Sequence, residues 1–246
     1  MSIQLSAQHS RYSVANAHSH NDYEQEFPFW SAYNQHFGSM EADIYFHNGK
    51  LIVAHDRSQL ALNRTLDSLY LKPLRYAITK NGGYVFPDST RQLQLMIDIK
   101  TTADSTLNKL IEDLGSYPDI TGNPNIKIVI SGNRTEPLLF TTYPSYILFD
   151  GELNKDYPET ALKRIVMMSD NFKRYSDWNG KKIIPQIQRN NLEAAILKAH
   201  RLGKKVRFWN APDNMSTWSL LMKLGVDYIN TDKITELSRF FKTVKK

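Results

Sequence analysis

Residues Asn190 to Trp209 read NNLEAAILKAHRLGKKVRFW, and the spacing of their apolar side chains changes partway along. Leu192, Ala195, Ile196 and Ala199 recur at helical intervals and share one face, Gly203 supplies a stop, and KVRFW follows at once as a short strand. That helix-then-strand order is the one a parallel α/β sheet requires. It recurs after Trp209, where NAPDNMSTWSLLMKLG predicts a helix ending at Gly225 and VDYIN the next strand. Upstream, RYSVANA, SMEADIYF, LQLMIDIK, NIKIVIS, YILFD and IVMMS are further β-rich runs. Eight strands separated by helical or looped stretches predict an α/β fold closed as a (β/α)8 TIM barrel.

The chain of 246 residues is the right length for one such barrel, and its 41% apolar content is enough for a core. No repeat or linker divides it, so a single domain spanning residues 1–246 is expected, with the barrel core at 11–232. Asn48-Gly49 in YFHNGKLI marks a two-residue hairpin turn. Residues 56–90 form the least regular stretch, a long connection between the second and third barrel strands, and long loops at the C-terminal face of a barrel are often functional.

A formal charge of +6 is spread along the chain, with only FFKTVKK clustered, so no nucleic-acid partner is expected. The absence of cysteine excludes disulfides, thiolate metal sites and cysteine nucleophiles. No run reaches the roughly 18 apolar residues of a membrane-spanning helix. MSIQLSAQHSRYS lacks the pattern of a secretory leader; a secreted or periplasmic chain with its leader removed is expected over a cytoplasmic one. A monomer is expected.

Glu41 and Asp43 in SMEADIYF lie two apart on a strand and project from one face. Facing a barrel interior, they would repel unless a cation or proton compensates, which points to a hard metal, Mg²⁺ or Ca²⁺; facing solvent, they are an acidic edge. Asp98 and Lys100 in LQLMIDIK share a face in the same way, as a buried ion pair or as part of the same site. His55 ends LIVAHD, and a strict hairpin pairs Ala42 with His55, placing His55 opposite Glu41 and Asp43. To join them, the strand must bulge or splay before position 55. AHSHNDYEQ offers His18 and His20 as an H-x-H pair, but His200 is the lone histidine beyond position 55 and sits in a helix, so an imidazole-rich metal site is disfavoured.

Taken in order, AHSHND, MEADIYFHNGKLIVAHD, LMIDIK, RFWN and GVDYINTD resemble the glycerophosphodiester phosphodiesterase family and phosphatidylinositol phospholipase C-like phosphodiesterases more broadly. They are most similar to a branch with H-S-H-N-D-Y that includes the altered inheritance of mitochondria proteins, and they also resemble phospholipase D toxins of the sphingomyelinase D type. The resemblance implies a phospholipase C-like phosphodiesterase barrel and a phosphoric diester hydrolase, or a lyase if the product is a cyclic phosphate. It implies His18 and His55 as the catalytic acid and base, Glu41, Asp43 and Asp98 as ligands of Mg²⁺ or Ca²⁺, and Lys100 near the substrate phosphate. Trp209 falls where related barrels place an aromatic beside the substrate; barrel-top packing is its other reading. His20 and Asn21 are expected as substrate contacts or hydrogen-bonding supports, and Asp22 and Asp56 as turn or cap residues. The expected substrate is a small-molecule or lipid phosphodiester. The family's H-R-G is replaced here by His18-Ser19-His20, so the arginine that helps hold phosphate is missing. Two rival readings are an H-x-H metal-dependent amidohydrolase or phosphoesterase, and a non-catalytic barrel that binds phospholipid head groups.

Overall fold

The computed structural model describes residues 12–244. The start of the chain through Arg11, with His9, and the last two lysines lie outside the described residues. Among the described residues, nine strands form one sheet: β1 (Ala17–Ser19), β2 (Ser39–His47), β3 (Lys50–Val53), β4 (Leu93–Ile99), β5 (Ile126–Gly132), β6 (Ile147–Glu152), β7 (Ile165–Asn171), β8 (Lys205–Trp209) and β9 (Ile229–Thr231). Eight of them run parallel in the order β8-β7-β6-β5-β4-β2-β1-β9, and β3 pairs antiparallel with β2 as the hairpin partner. The described helices are α1 (Trp30–Asn34), α2 (Lys72–Lys80), α3 (Ala103–Leu114), α4 (Pro118–Thr121), α5 (Glu159–Leu162), α6 (Gln186–Arg201), α7 (Met215–Leu224) and α8 (Ile234–Val244). The barrel is nearly closed: β8 and β9 meet through a single bridge, Arg207 with Tyr228. Asp227 helps to seal that seam by accepting the Val206 amide at 2.8 Å. Its carboxylate also lies 2.8 Å from His200 Nε2, so the late histidine belongs to this seam.

Strand alternation sorts the side chains into two cores. Met40, Ala42 and Ile44 on β2, with Leu95, Ile97 and Ile99 on β4, face the helices and join the large apolar cluster. The opposite parity faces the barrel axis, where Met96, Val129, Met167 and Tyr228 make a small separate apolar floor. Glu41 and Asp43 share this inward parity, as does Asp98, which pairs in register with Asp43 on one side and Ser131 on the other. Charged residues therefore stand above an apolar floor, at the C-terminal ends of the strands.

The α6 helix begins at Gln186, four residues before the apolar pattern suggests, with Pro185 at its cap. It buries Leu192, Ala195, Ile196 and Ala199, the four positions the sequence marks. Gly203, at φ +68°, turns the chain into β8, and the Lys204 amide closes back on the Ala199 carbonyl at 3.0 Å.

Two expectations need correction. RYSVANA is not a strand: Val14–Asn16 is a 3₁₀ turn, and β1 begins only at Ala17. Ser13 and Asn16 form a capping box, and their local hydrogen bonds win over the β-propensity of Tyr12 and Val14. The 56–90 stretch is more regular than its composition suggests. It holds a 3₁₀ helix (Arg57–Leu62), a π-helical turn (Asp67–Leu71) and α2, and so supplies much of the crossover to β4. Asp56 caps its start by accepting the Ser58 amide at 2.8 Å.

Gly38 clamps the 3₁₀ turn to the start of β2, its amide donating to the Val14 carbonyl at 3.1 Å. A Cβ there would lie 2.0 Å from the Ala15 carbonyl oxygen, and backbone cannot yield as a flexible side chain can. Gly38→Ala is expected to lower stability by more than about 2 kcal/mol. Gly49→Ala, with φ +75° but open space around it, should cost about 1 kcal/mol. Thermal denaturation of the two variants checks this; equal effects would contradict the close packing at Gly38.

Candidate functional site

A cavity of about 530 Å³ opens above the polar end of the barrel. Its lining includes Glu41, Asp43, Asp98, Lys100, His20 and Asn21, together with His55 and Trp209. Among the described residues, Glu41, Asp43 and Asp98 are the one group of histidines or acids whose candidate ligand atoms converge, all within 4.8 Å of one another. At an effective dielectric constant near 20, a pair of carboxylates at that separation repels by about 3–4 kcal/mol.

Each acid meets this repulsion differently. Glu41 Oε2 accepts from Arg207 Nη1 at 2.7 Å and lies 2.8 Å from His18 Nε2. Burial opposes its charge, but Arg207 and His18 outweigh burial and hold its pKa well below the usual carboxylate value. Asp43 has no such partner pair, and burial, Glu41 and Asp98 push it from 3.8 up to about 7. Asp98 is also raised, by burial and by Glu41. Lys100 Nζ bridges the two, 2.9 Å from Asp43 Oδ2 and 2.9 Å from Asp98 Oδ1. Burial works against the ammonium, and the two aspartates more than compensate, raising its pKa.

These residues fit a hard divalent cation. The donors are all carboxylates, and Asp43 Oδ1 is buried with no hydrogen-bond partner among the described residues. The backbone also leaves room: Gly132 sits at φ +69°, and a Cβ there would lie 2.3 Å from Asp98 Oδ1. A side chain at 132 would therefore displace a candidate ligand.

His55 reaches the cavity because β3 ends at Val53 and the chain splays. The hairpin register runs from His47 with Lys50 to Ile44 with Val53, and the Ala54 amide still donates to the Asp43 carbonyl at 3.1 Å. His55 then leaves the ladder and is exposed on the cavity wall. The predicted opposite-face placement is thus avoided by splaying, without a bulge in the β2–β3 ladder.

His18 is placed differently. It is 0% exposed, beneath the cavity floor, with Nδ1 2.8 Å from Ser39 Oγ and Nε2 contacting both Glu41 and Arg207. Burial and the neighbouring guanidinium lower its pKa to about 4, so the ring is neutral over most of the working range. His20 instead lines the cavity, its Nδ1 2.8 Å from Asp232 Oδ1. Asn21, at φ +46°, turns the chain there. Asp22 is buried and organises the turn, accepting from Ser19 Oγ and the Phe29 amide, each at 2.7 Å, and from Tyr70 Oη at 3.0 Å. Trp209 stands 38% exposed at the rim.

Sequence reasoning missed Arg207, Asp150 and Asp232. Arg207 is 3% exposed at the centre of the barrel and also donates to Asn230 Oδ1 at 3.0 Å. Its signal was the parity of KVRFW, which puts Lys205, Arg207 and Trp209 on one face. The cavity therefore has guanidinium groups although H-R-G is absent: Arg207, Arg134 and Arg174 all line it. Asp150, buried under Ser131 and Ser169, is pushed up to about 6 by burial.

The nearly closed eight-stranded parallel barrel, with carboxylates, lysine and histidines at its C-terminal end, has the TIM-barrel fold of glycerophosphodiesterases. The AIM6-like phosphodiesterase domain matches residues 9–120, and the glycerophosphoryl diester phosphodiesterase family matches residues 205–235. The chain is 25% identical to an altered inheritance of mitochondria protein 6 homolog from Arthroderma benhamiae, covering 91% of this chain and 83% of that one. It is 26% identical to altered inheritance of mitochondria protein 6 from Kluyveromyces lactis, covering 92% and 72%. In fold it resembles a glycerophosphodiester phosphodiesterase from Parabacteroides distasonis, with a TM-score of 0.60, 13% identity, and 94% and 98% of the two chains covered. It also resembles a putative glycerophosphoryl diester phosphodiesterase from Agrobacterium tumefaciens, with a TM-score of 0.52, 14% identity, and coverage of 94% and 98%. The likeness to sphingomyelinase D-type toxins rests on the sequence motifs alone. No helix among the described residues is long and apolar enough to cross a membrane.

The raised Asp43 gives a pH test. A carboxyl with a raised folded-state pKa holds its proton more tightly when folded, so its cost to stability is absent below the unfolded value near 3.8 and grows as the pH climbs toward 7. Asp43→Asn removes that cost. In chelator, its stability relative to wild type should improve between pH 4 and 7, by at most about 1.4 kcal/mol per unit. Wild type alone should gain Tm when Mg²⁺ or Ca²⁺ is added at pH 7.5. A difference independent of pH would contradict the assignment.

Proposed function

We propose that the protein is a divalent-metal-dependent phosphodiesterase that cleaves a glycerophosphodiester or a lipid-like phosphodiester. The observation that carries this reading is the convergence of Glu41, Asp43 and Asp98 beneath an open cavity, with Lys100 bridging two of them. A phosphodiester is an anion whose transition state gathers more charge on the phosphoryl oxygens. A cation bound by the three acids would supply charge stabilisation there. Mg²⁺ and Ca²⁺ both suit an all-carboxylate donor set.

The chain's own residues divide the remaining work. Glu41 is held in its charged form by Arg207 and His18, so it is ready to bind metal at neutral pH. Once the aspartates have another counter-charge, Lys100 is left to face the phosphoryl oxygens. His55, exposed on the cavity wall, can exchange a proton with a reacting oxygen. His18 is the other histidine that the resemblance assigns to proton transfer. Its contacts with Glu41 and Ser39 support a part in fixing that carboxylate. Trp209 and Asn21 fit contacts to the group on the far side of the phosphate. Attack by water gives a phosphomonoester; attack by a neighbouring substrate hydroxyl gives a cyclic phosphate.

The H-x-H rival finds little support, since His18 and His20 differ in depth and His20 is committed to Asp232. A purely binding barrel gives no reason to keep a histidine on the wall beside a three-carboxylate cluster.

Phosphorus NMR of reactions with lysophospholipids and glycerophosphodiesters tests the reading and identifies the product. Cleavage by wild type should be lost in EDTA, restored by Mg²⁺ or Ca²⁺, and reduced at least about 10³-fold in Glu41→Ala. Full activity in chelator, or in Glu41→Ala, would sink it.

A further inference from the structure

We propose that His20, oriented by Asp232, is the general acid that protonates the leaving alkoxide, and that His55 faces it as the general base. This rests on the phosphodiesterase reading above and assigns the two proton roles within it.

The ring nitrogens already committed to hydrogen bonds divide the two roles. Asp232 is a carboxylate and can only accept, so the 2.8 Å contact fixes a proton on His20 Nδ1. The Asn21 amide nitrogen lies 3.0 Å from that same Nδ1 and 3.4 Å from Asp232 Oδ1. Two donors cannot bond each other, so Asn21 Nδ2 donates to the carboxylate. That orients the amide and turns Asn21 Oδ1 toward Tyr23, whose hydroxyl donates to it at 3.0 Å. The single phenolic proton is then spent. Tyr23 Oη can serve His55 only as an acceptor, at 3.2 Å from Nδ1. A neutral His55 therefore carries its proton on Nδ1 and presents Nε2 as a bare lone pair, the form a base requires.

His20 takes the complementary form. With Nδ1–H held by Asp232, a protonated ring presents Nε2–H, and Nε2 makes no hydrogen bond among the described residues. Burial opposes the charge on His20, but Asp232 and Glu41 together outweigh burial and raise its pKa above the ordinary histidine value. Arg207 opposes the charged ring more weakly. Asp232 stands just beyond β9, and its amide is itself fixed at 3.0 Å by Asp213 Oδ2. His18 is less suited to this work, because it is fully buried and its Nε2 already contacts Glu41 and Arg207.

The step balances within the site. The nucleophile, water or a substrate hydroxyl, forms a new P–O bond and gives its proton to His55 Nε2. The P–O bond to the leaving oxygen breaks, that oxygen keeps the electron pair, and the Nε2 proton of His20 neutralises it.

Leaving-group dependence tests the assignment. An alkoxide needs a proton to depart, whereas 4-nitrophenolate does not. His20→Gln should lower kcat on a glycerophosphodiester with an alkyl leaving group by about 10²–10⁴-fold and leave kcat on a 4-nitrophenyl phosphodiester nearly unchanged. Turnover of the aryl ester also confirms that the variant is folded. Asp232→Asn should show the same selective loss in weaker form, with KM unaltered. His55→Gln should lose both substrates, since both need the nucleophile deprotonated. Equal loss of both substrates in His20→Gln, or the selective loss appearing in His18→Gln instead, would overturn the assignment while leaving the phosphodiesterase reading intact. If wild type with Mg²⁺ or Ca²⁺ turned over neither substrate, the underlying reading would fail and this one with it.

Discussion

Three carboxylates, two buried and one partly buried, whose candidate ligand atoms lie within 4.8 Å of one another set the terms for the rest of the barrel. Their mutual repulsion, a few kcal/mol per pair, is a large fraction of the net stability of a domain this size. The fold answers it with an uneven distribution of counter-charge. Arg207 crosses the axis from β8 to fix Glu41 as an anion, and Lys100 spans Asp43 and Asp98. The residual imbalance falls on Asp43, whose Oδ1 has no hydrogen-bond partner among the described residues. A site built this way is least stable when it is fully charged and without a cation, which is the condition under which metal binding stabilises most.

The same constraint explains the layering of the interior. An apolar floor of Met96, Val129, Met167 and Tyr228 keeps water from beneath the charges, which strengthens each ion pair above it. The strand register then sets the heights. Asp43, Asp98 and Ser131 lie at one level on three adjacent strands, and Gly132, without a Cβ, leaves space for the Asp98 carboxylate. Geometry that begins as a period of two along a strand thus ends as a convergent donor set.

Much of this was legible in the chain. E-x-D on β2 and D-x-K on β4 place their charges on one face by parity alone, and seven of the eight barrel-strand runs fold as parallel strands. RYSVANA failed because its capping residues, Ser13 and Asn16, form local hydrogen bonds that the β-propensity of its neighbours cannot overcome. The hairpin register was readable, but the splay after Ala54 was not: there the His55 amide leaves the ladder for the Gln59 side chain, and its ring meets Tyr23. Arg207 was hidden for a similar reason: an arginine in a short strand looks like a surface charge until the barrel closes and β8 faces Glu41 across the axis. The depths of His18 and His20, two positions apart, depend on where β1 ends against β9. Local sequence carries no signal for that.

An anomalous difference map from a Mn²⁺-soaked crystal would show whether the three carboxylates hold a cation, because Mn²⁺ shares the oxygen-ligand preference of Mg²⁺ and Ca²⁺. One strong peak is expected among the carboxylate oxygens of Glu41, Asp43 and Asp98, and none on the imidazoles of His18 and His20. A peak bound by those histidines, with the three carboxylates left to Lys100 and Arg207, would rule out a carboxylate-held metal.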